Sequence, residues 1–170
     1  SGHNLGYETT WLKEKGYFAL IPKLKKLYDK HKEQIILPVD FGLNVNNKRK
    51  ESLLEDAPFK FKIYDVGRET IALFKKQLNN MDCIFMKGPL GFSEIPEFSL
   101  GTKEILIHLA NKTRNREAYT LIGGGHSTTT IEKYGLPRTF SYISLSGGAL
   151  IAYISGEKLS GITALEKSRK

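Results

Sequence analysis

The sequence has little cysteine and no long apolar run. One cysteine, Cys83, occurs among the 170 residues, so an internal disulfide is excluded. Cys83 lies in a short apolar run typical of a buried strand, and we predict that its thiol is buried and unreactive. No apolar run approaches the length of a membrane span, and no basic-then-apolar leader opens the chain. We therefore expect a cytoplasmic protein with no membrane partner.

Several motifs of familiar sites are also missing. The Walker pattern G-x-x-x-x-G-K-[ST] does not occur, and no G-x-G-x-x-G opens the first strand–helix unit. The cysteine and histidine spacings offer no zinc site, and no G-x-S-x-G is present to place a serine nucleophile. These absences exclude the P-loop, the common dinucleotide-binding motif, a zinc centre and the nucleophile elbow of hydrolases.

The charge balance is basic. Lysine and arginine number 26 against 18 acidic residues, which gives a formal net charge of +8. Lysines cluster at 23–26, 48–50 and 167–170, but no recognised nucleic-acid-binding motif accompanies them. We expect no nucleic-acid partner, because a basic surface also suits an enzyme that attracts polyanionic substrates.

A triple glycine is the most informative stretch. The strand-like run 120–122 ends in Gly123, Gly124 and Gly125, and small hydroxyl residues then lead into a helix-like segment at 130–134. Consecutive glycines allow positive φ angles and leave no Cβ between the backbone amides and a ligand. Where such a loop opens a helix, its N–H groups and the helix dipole favour phosphate. Taken alone, the motif fits a plain strand-to-helix turn equally well.

Two further stretches repeat this arrangement. The apolar run 83–87 leads into the glycine-bearing loop 88–91, and the run 142–145 leads into 146–149. Strand–loop–helix units of this kind build a parallel sheet whose loops share one edge, where ligands of open α/β sheets bind. Three such loops predict a phosphate site without a nucleophile. Phosphoryl transfer, which depends on positioning and charge stabilisation, requires a site of this kind.

The remaining segments complete an α/β pattern with one β insertion. Helical spacing of apolar residues predicts helices over 18–32 and 68–78, and a helix that includes 105–110. The apolar run 34–40 predicts a buried strand that ends at a carboxylate. Alternating residues at 41–45 and 59–64 predict exposed strands or a hairpin, with a surface turn at 46–51.

Six motifs then identify a resemblance to a known family. They are Leu37-Pro38-Val39-Asp40, Asp65-Val66-Gly67, Lys87-Gly88-Pro89-Leu90-Gly91-Phe92-Ser93-Glu94, Gly123-Gly124-Gly125-His126-Ser127, Ser144-Leu145-Ser146-Gly147-Gly148-Ala149 and Gly156-Glu157-Lys158-Leu159. In this order they resemble the C-terminal, nucleotide-binding half of phosphoglycerate kinase, and most of all its archaeal branch. The resemblance covers nearly the whole chain. It implies a Rossmann-like parallel sheet with flanking helices, MgATP or MgADP as ligand, and phosphoryl transfer between 1,3-bisphosphoglycerate and ADP in glycolysis and gluconeogenesis.

The resemblance also implies roles for single residues. Glu94 would bind the ribose hydroxyls, and Pro89 and Leu90 would line the adenine pocket. Gly147 and Gly148 would be the catalytic residues, because their helix-terminal amides would face the phosphoryl group in flight. The nucleotide phosphates would lie near the glycine loop residues Gly123, Gly124, Gly125 and Ser127.

The sequence departs from the family pattern at several positions. His126 stands where most members have the aspartate that holds magnesium, and we interpret it as a phosphate contact. The metal ligands are therefore unassigned, with Asp40 as a candidate. Lys87 replaces a usual asparagine and suits either a phosphate-facing cation or a surface lysine. Leu145 and Ser146 replace a threonine and a glycine of the second anion loop.

The extent of the resemblance leads to three hypotheses. We expect residues 1–170 to be part of the nucleotide-binding C-terminal domain, without the N-terminal domain that binds phosphoglycerate. On the first hypothesis the parent protein is a phosphoglycerate kinase, and this chain alone is inactive. On the second it is a non-catalytic nucleotide- or phosphate-binding module. On the third it is a basic RNA-binding protein.

Overall fold

A computed structural model of the chain describes residues 3–124, 130–136 and 138–169. The chain divides into two compact units, residues 1–79 with 90–105, and residues 80–89 with 106–170. The strands are β1 Asp40–Val45, β2 Lys48–Leu53, β3 Ile63–Val66, β4 Cys83–Lys87, β5 Tyr119–Gly123 and β6 Tyr142–Ser144. The helices are α1 Tyr7–Glu14, α2 Ile21–His31, α3 Arg68–Leu78, α4 Leu100–Arg114, α5 Gly147–Ile154 and α6 Ser160–Ser168, and residues 130–133 are also helical.

The first unit contains an antiparallel sheet of order β2–β1–β3. β1 and β2 form a hairpin whose turn residues, Asn46 and Asn47, have φ angles of +52° and +62°. Asparagine tolerates this left-handed conformation, which the tight turns of hairpins require. A hairpin forms, but not between the predicted segments, because 41–45 pairs with 48–53 and residues 48–51 of the predicted turn belong to β2. Of the predicted range 59–64, only Ile63 and Tyr64 lie in a strand, β3, which pairs with the other edge of β1. β1 is also buried rather than exposed, since Phe41 and Leu43 pack with Phe59 in a core cluster.

The apolar run 34–40 does not form the predicted buried strand. Residues 35–38 lie outside any strand, and Ile36, Leu37 and Val39 are exposed. Asp40 instead begins β1, which pairs antiparallel with β2 and β3. A continuous apolar run forms a buried strand only when a neighbouring strand pairs with it, and no described strand pairs with 35–38.

The second unit contains the predicted parallel sheet, in the order β4–β5–β6. One face of this sheet is buried, as shown by Ile84, Thr120 and Ile122. α4 contacts that face, where the hydroxyl of Thr113 hydrogen-bonds with that of Thr120. The α/β fold class with a small β insertion is therefore confirmed.

The other face of the parallel sheet is exposed and carries Cys83, whose thiol was predicted to be buried. Residues alternate between the two faces along a strand, and Cys83 lies on the face opposite Ile84. On that face Phe85, Tyr119 and Tyr142 are also exposed. Cys83 is exposed as well, so the prediction of a buried thiol was wrong.

Most helices form where the helical spacing of apolar residues predicts them. α3 covers the predicted range 68–78, and α2 carries Pro22 in its first turn, where a missing N–H does no harm. Asp65 and Val66 are the last two residues of β3. Within the described residues, no helix is both long and apolar enough to cross a membrane.

Candidate functional site at the carboxyl edge of the parallel sheet

The three parallel strands end side by side. β4 ends at Lys87, which pairs with Gly123 at the end of β5, and Gly123 pairs in turn with Ser144 at the end of β6. Because parallel strands point the same way, the loops that follow them emerge from a single edge. The three glycine-bearing loops predicted from the sequence therefore begin next to one another.

Backbone hydrogen bonds join these loops. The N–H of Gly88 donates to the carbonyl oxygen of Gly123 at 3.0 Å, and the N–H of Gly124 donates to that of Ser144 at 3.1 Å. Gly124 has a φ of +131°, a conformation that side-chain-bearing residues rarely adopt. The path of the chain out of β5 thus depends on glycine at this position.

The start of α5 lies directly against the β5 loop. A Cβ atom on Gly147 would be 3.0 Å from the backbone nitrogen of Gly124. A Cβ atom on Gly123 would be 2.9 Å from the ring of Phe85. The missing side chains therefore let helix, loop and strand approach closely.

The N-terminus of α5 has the properties of an anion site. The N–H groups of a first helical turn have no acceptor within the helix, and the helix dipole adds positive potential there. Ser146 precedes the helix, but its side chain makes no capping hydrogen bond. Gly148 is exposed, and among the described residues no atom outside its own helix turn lies within 4 Å of the position of a Cβ on it. An anionic group has both the space and the donors to bind at this point.

The structure brings together some of the residues predicted for the site. Lys87, Gly123, Gly124 and Gly147 lie at the same edge, where the exposed ammonium side chain of Lys87 adds positive charge. Pro89, also exposed, follows β4 in the same unit. The predicted residues Gly125, His126 and Ser127 lie outside the described residues.

Two predicted residues belong to the first unit. Leu90 donates its N–H to the Thr102 hydroxyl at 3.0 Å, and Glu94 is an exposed residue of the turn between β4 and α4. Their side chains are described only within that unit, so their roles toward the adenine and the ribose are still predictions.

Comparison with known proteins decides the family. The sequence model that describes phosphoglycerate kinase matches residues 1–157 of the 170. This chain belongs to the phosphoglycerate kinase family. The resemblance inferred from the six motifs is thereby confirmed.

Relatives and solved structures in the family show how much of it the chain represents. A phosphoglycerate kinase of Methanothermus fervidus is 40% identical over 159 residues, which are 94% of this chain and 38% of that protein. Phosphoglycerate kinase 2 of Methanosarcina acetivorans is 38% identical over 98% of this chain and 39% of its own length. The crystal structure of phosphoglycerate kinase from Pyrococcus horikoshii superposes with a TM-score of 0.85 at 30% identity, over 97% of this chain and 41% of that one. The chain thus spans about two fifths of the length of these family members.

Sequence reasoning missed a buried ion pair in the first unit. The Arg49 guanidinium donates from Nη1 to Oδ2 of Asp65 at 2.8 Å and from Nε to Glu51 at 2.7 Å. Burial raises the pKa of the Asp65 carboxyl above its usual range, although the Gly101 amide and Arg49 act in the opposite direction. No spacing rule links positions 49 and 65. The available signals were the motif that begins at Asp65 and the glycines at 91 and 101, which pack against this carboxylate.

The described residues do not fit a protein-bound magnesium ion. Asp40, the carboxylate considered for this role, accepts the N–H groups of Glu69 and Thr70 at 2.9 and 2.7 Å. It therefore caps α3. Among the described residues, no three histidine, cysteine, aspartate or glutamate side chains are grouped to hold a metal. We accordingly assign no chemical step to a metal bound by these residues.

Proposed function

We propose that this chain binds the phosphates of ATP or ADP at the carboxyl edge of its parallel sheet, as the nucleotide-binding part of a phosphoglycerate kinase. The observation that carries the proposal is the junction of Gly123, Gly124 and Gly147, where the end of β5 and the N-terminus of α5 meet without side chains. Membership of the phosphoglycerate kinase family gives this junction its expected ligand.

Each residue at this edge has a proposed task. The amides of Gly147 and Gly148 stabilise the charge on the phosphoryl group during its transfer, since fixed donors cost no reorganisation at that moment. Gly123 and Gly124, which have no side chains, leave room for the phosphates beside the amides that begin α5, and Lys87 adds an attractive charge. His126, with Gly125 and Ser127, is assigned to the phosphates from the sequence motif alone.

The nucleoside end of the ligand is assigned by motif. Glu94 accepts hydrogen bonds from the ribose hydroxyls, and Pro89 and Leu90 contact the adenine. Magnesium enters this proposal as an ion carried by the nucleotide phosphates, because Mg²⁺ keeps several waters and uses few protein ligands.

The complete reaction extends beyond these 170 residues. We propose that residues 1–170 form part of the C-terminal, nucleotide-binding domain of a kinase that transfers a phosphoryl group between 1,3-bisphosphoglycerate and ADP. The phosphoglycerate then binds in the part of the relatives to which this chain has no counterpart. These residues alone are expected to bind nucleotide without catalysing transfer.

A calorimetric titration with ADP, with and without magnesium, tests the proposal. Gly148 and Gly161 provide a matched pair, since each is the second residue of its helix. In the part of the chain that the structure describes, neither has an atom from beyond its own helix turn within 4 Å of a Cβ position. Gly148→Asp places a negative charge at the proposed phosphate site, and Gly161→Asp places the same charge at the start of α6. Both substitutions add an acidic residue to a first helical turn, where it favours folding.

The proposal predicts saturable ADP binding that Gly148→Asp abolishes and Gly161→Asp leaves unchanged. Equal effects of the two substitutions would mean that the nucleotide binds elsewhere. Absence of binding to the unsubstituted chain would contradict the proposal for these residues. Binding of inorganic phosphate in preference to ADP would favour the non-catalytic phosphate-binding module.

A further inference from the structure

A single buried carboxylate lies under the segment that carries Glu94. Asp65 is the third residue of β3 and its side chain is fully buried. It accepts hydrogen bonds from Nη1 of Arg49 and from the N–H of Gly101, each at 2.8 Å, and from the N–H of Val66 at 2.9 Å. A buried carboxylate requires partners of this kind, because an unpaired one would lose its hydration without compensation.

Both ends of segment 91–101 pack against this carboxylate. A Cβ on Gly91 would lie 2.5 Å from Oδ1 of Asp65, and a Cβ on Gly101 would lie at the same distance from that atom. Side chains at either position would therefore displace the carboxylate. The segment starts and finishes on one group of β3, so Asp65 closes it into a loop.

Other contacts hold the segment between these two ends. Phe92 donates its N–H to the carbonyl oxygen of Tyr64 at 2.9 Å, and the two rings stack at 4.3 Å between centroids. Phe98 is almost fully buried and meets the Tyr64 ring edge-on at 5.0 Å. The backbone N–H of Arg49 donates to the Glu97 carboxylate at 3.2 Å. Glu94 lies on the exposed turn between these anchors.

Arg49 connects the loop to the hairpin. Its guanidinium, nearly buried, binds Asp65, Glu51 and the carbonyl oxygen of Val66, the last at 2.7 Å. Arginine suits this position because its planar donors reach three acceptors in fixed directions, whereas lysine offers a single point charge. Hairpin β1–β2 therefore contacts segment 91–101 directly through the Arg49 N–H bonded to Glu97, and indirectly through the Arg49 guanidinium bonded to Asp65.

We propose that the Arg49–Asp65 pair is a positioning device that sets the conformation of segment 91–101 and, through it, the placement of Glu94. The second half of the proposal, the placement of Glu94, rests on the proposed nucleotide function, since Glu94 has a ligand only if that function holds. Neither residue touches the nucleotide in this account. Both are positioning residues.

Hydrogen exchange tests the first half without any ligand. The variants are Asp65→Asn, which removes the charge with little change of shape, and Arg49→Lys, which keeps the charge but loses the fork of donors. Glu104→Gln is the control, because it breaks a partly exposed ion pair of the same unit, Lys75–Glu104 at 2.6 Å. Exchange is followed by mass spectrometry in peptides from segment 91–101 and from α3.

We expect Asp65→Asn to speed exchange in segment 91–101 by about tenfold or more while α3 keeps its protection, since local openings have their own free energies. Arg49→Lys should produce a smaller effect at the same segment, and Glu104→Gln none. A uniform loss of protection across the first unit, or an unchanged segment 91–101, would overturn the proposal. If Asp65→Asn does not fold, the comparison between Arg49→Lys and Glu104→Gln decides by the same readout.

ADP titration of the same variants tests the second half. A misplaced Glu94 should weaken ADP binding by about tenfold in Asp65→Asn, because small displacements of a positioning group are costly. Glu104→Gln should bind as the unsubstituted chain does. Unchanged affinity together with altered exchange would separate the segment from the ligand and overturn the second half. Failure of the unsubstituted chain to bind ADP would contradict the proposed function and leave the exchange result to decide the positioning role.

Discussion

At the scale of single residues, Gly67 shows how closely two parts of the first unit approach. A Cβ atom at this position would lie 2.1 Å from the carboxyl carbon of Asp40. Asp40 is held in place by the N–H groups of Glu69 and Thr70, so it cannot yield without losing both bonds. The requirement for glycine here is steric, since the φ of −81° suits any residue.

We therefore expect Gly67→Ala to lower the free energy of unfolding by about 1–3 kcal/mol, the usual cost of forcing an extra methyl into a packed site. Urea denaturation measures the change. Gly161→Ala is the control, and should raise stability by up to about 1 kcal/mol because alanine favours a helix and the site is open. Equal stability of the two variants would contradict the close packing of Asp40 against Gly67.

At the scale of elements, α3 is capped by a residue from another element. Its own N-cap residue, Gly67, has no side chain, and Asp40 at the start of β1 supplies the acceptor instead. Thr70 completes the junction, because its hydroxyl donates to the carbonyl oxygen of Asp40 and accepts the N–H of Val39. Strand and helix are thus joined by reciprocal hydrogen bonds.

Asp40→Ala should lower the free energy of unfolding by about 1–2 kcal/mol, as the loss of a helix cap usually does. Asp40→Asn keeps one acceptor oxygen and should cost less. ADP affinity in the presence of magnesium should be the same for both variants and the unsubstituted chain. A loss of magnesium-dependent ADP binding in Asp40→Ala, at normal stability, would restore Asp40 as a metal ligand.

Sequence patterns predicted the elements that make local contacts. The period of apolar residues located α3, and glycines after apolar runs located β4, β5 and β6 and their common edge. The prediction of a buried strand at 34–40 was wrong because strand formation depends on a partner strand, which no local pattern specifies. The prediction of a buried Cys83 thiol was wrong because the fold, and not the sequence of the strand, decides which side of a strand a helix covers.

Sequence patterns likewise predicted some residues of the candidate site and missed others in the first unit. Gly123, Gly124 and Gly147 were predictable, since an anion-binding backbone needs glycine and a helix start nearby. Arg49 and Asp65 were not, because a contact between residues 16 positions apart leaves no spacing signal. The interpretations of His126 and Lys87 are still predictions.

At the scale of the whole molecule, the basic charge and the glycine edge point to the same class of ligand. A net charge of +8 attracts polyanions in general, so charge by itself does not separate a nucleotide from RNA. The place of binding does separate them, because the proposed phosphate site lies at the sheet edge. RNA would instead bind the lysine-rich stretches, such as the 23–26 cluster on α2.

The most direct measurement is an ADP titration of the ¹⁵N-labelled chain, followed amide by amide in two-dimensional NMR spectra. Our account predicts that the amide signals of Gly124, Gly147 and Gly148 move most, and that those of Gly42 and Gly161, which have no part in the proposed site, stay in place. Spectra that do not change, or changes confined to the lysines of α2, would contradict a nucleotide site at the carboxyl edge of the parallel sheet.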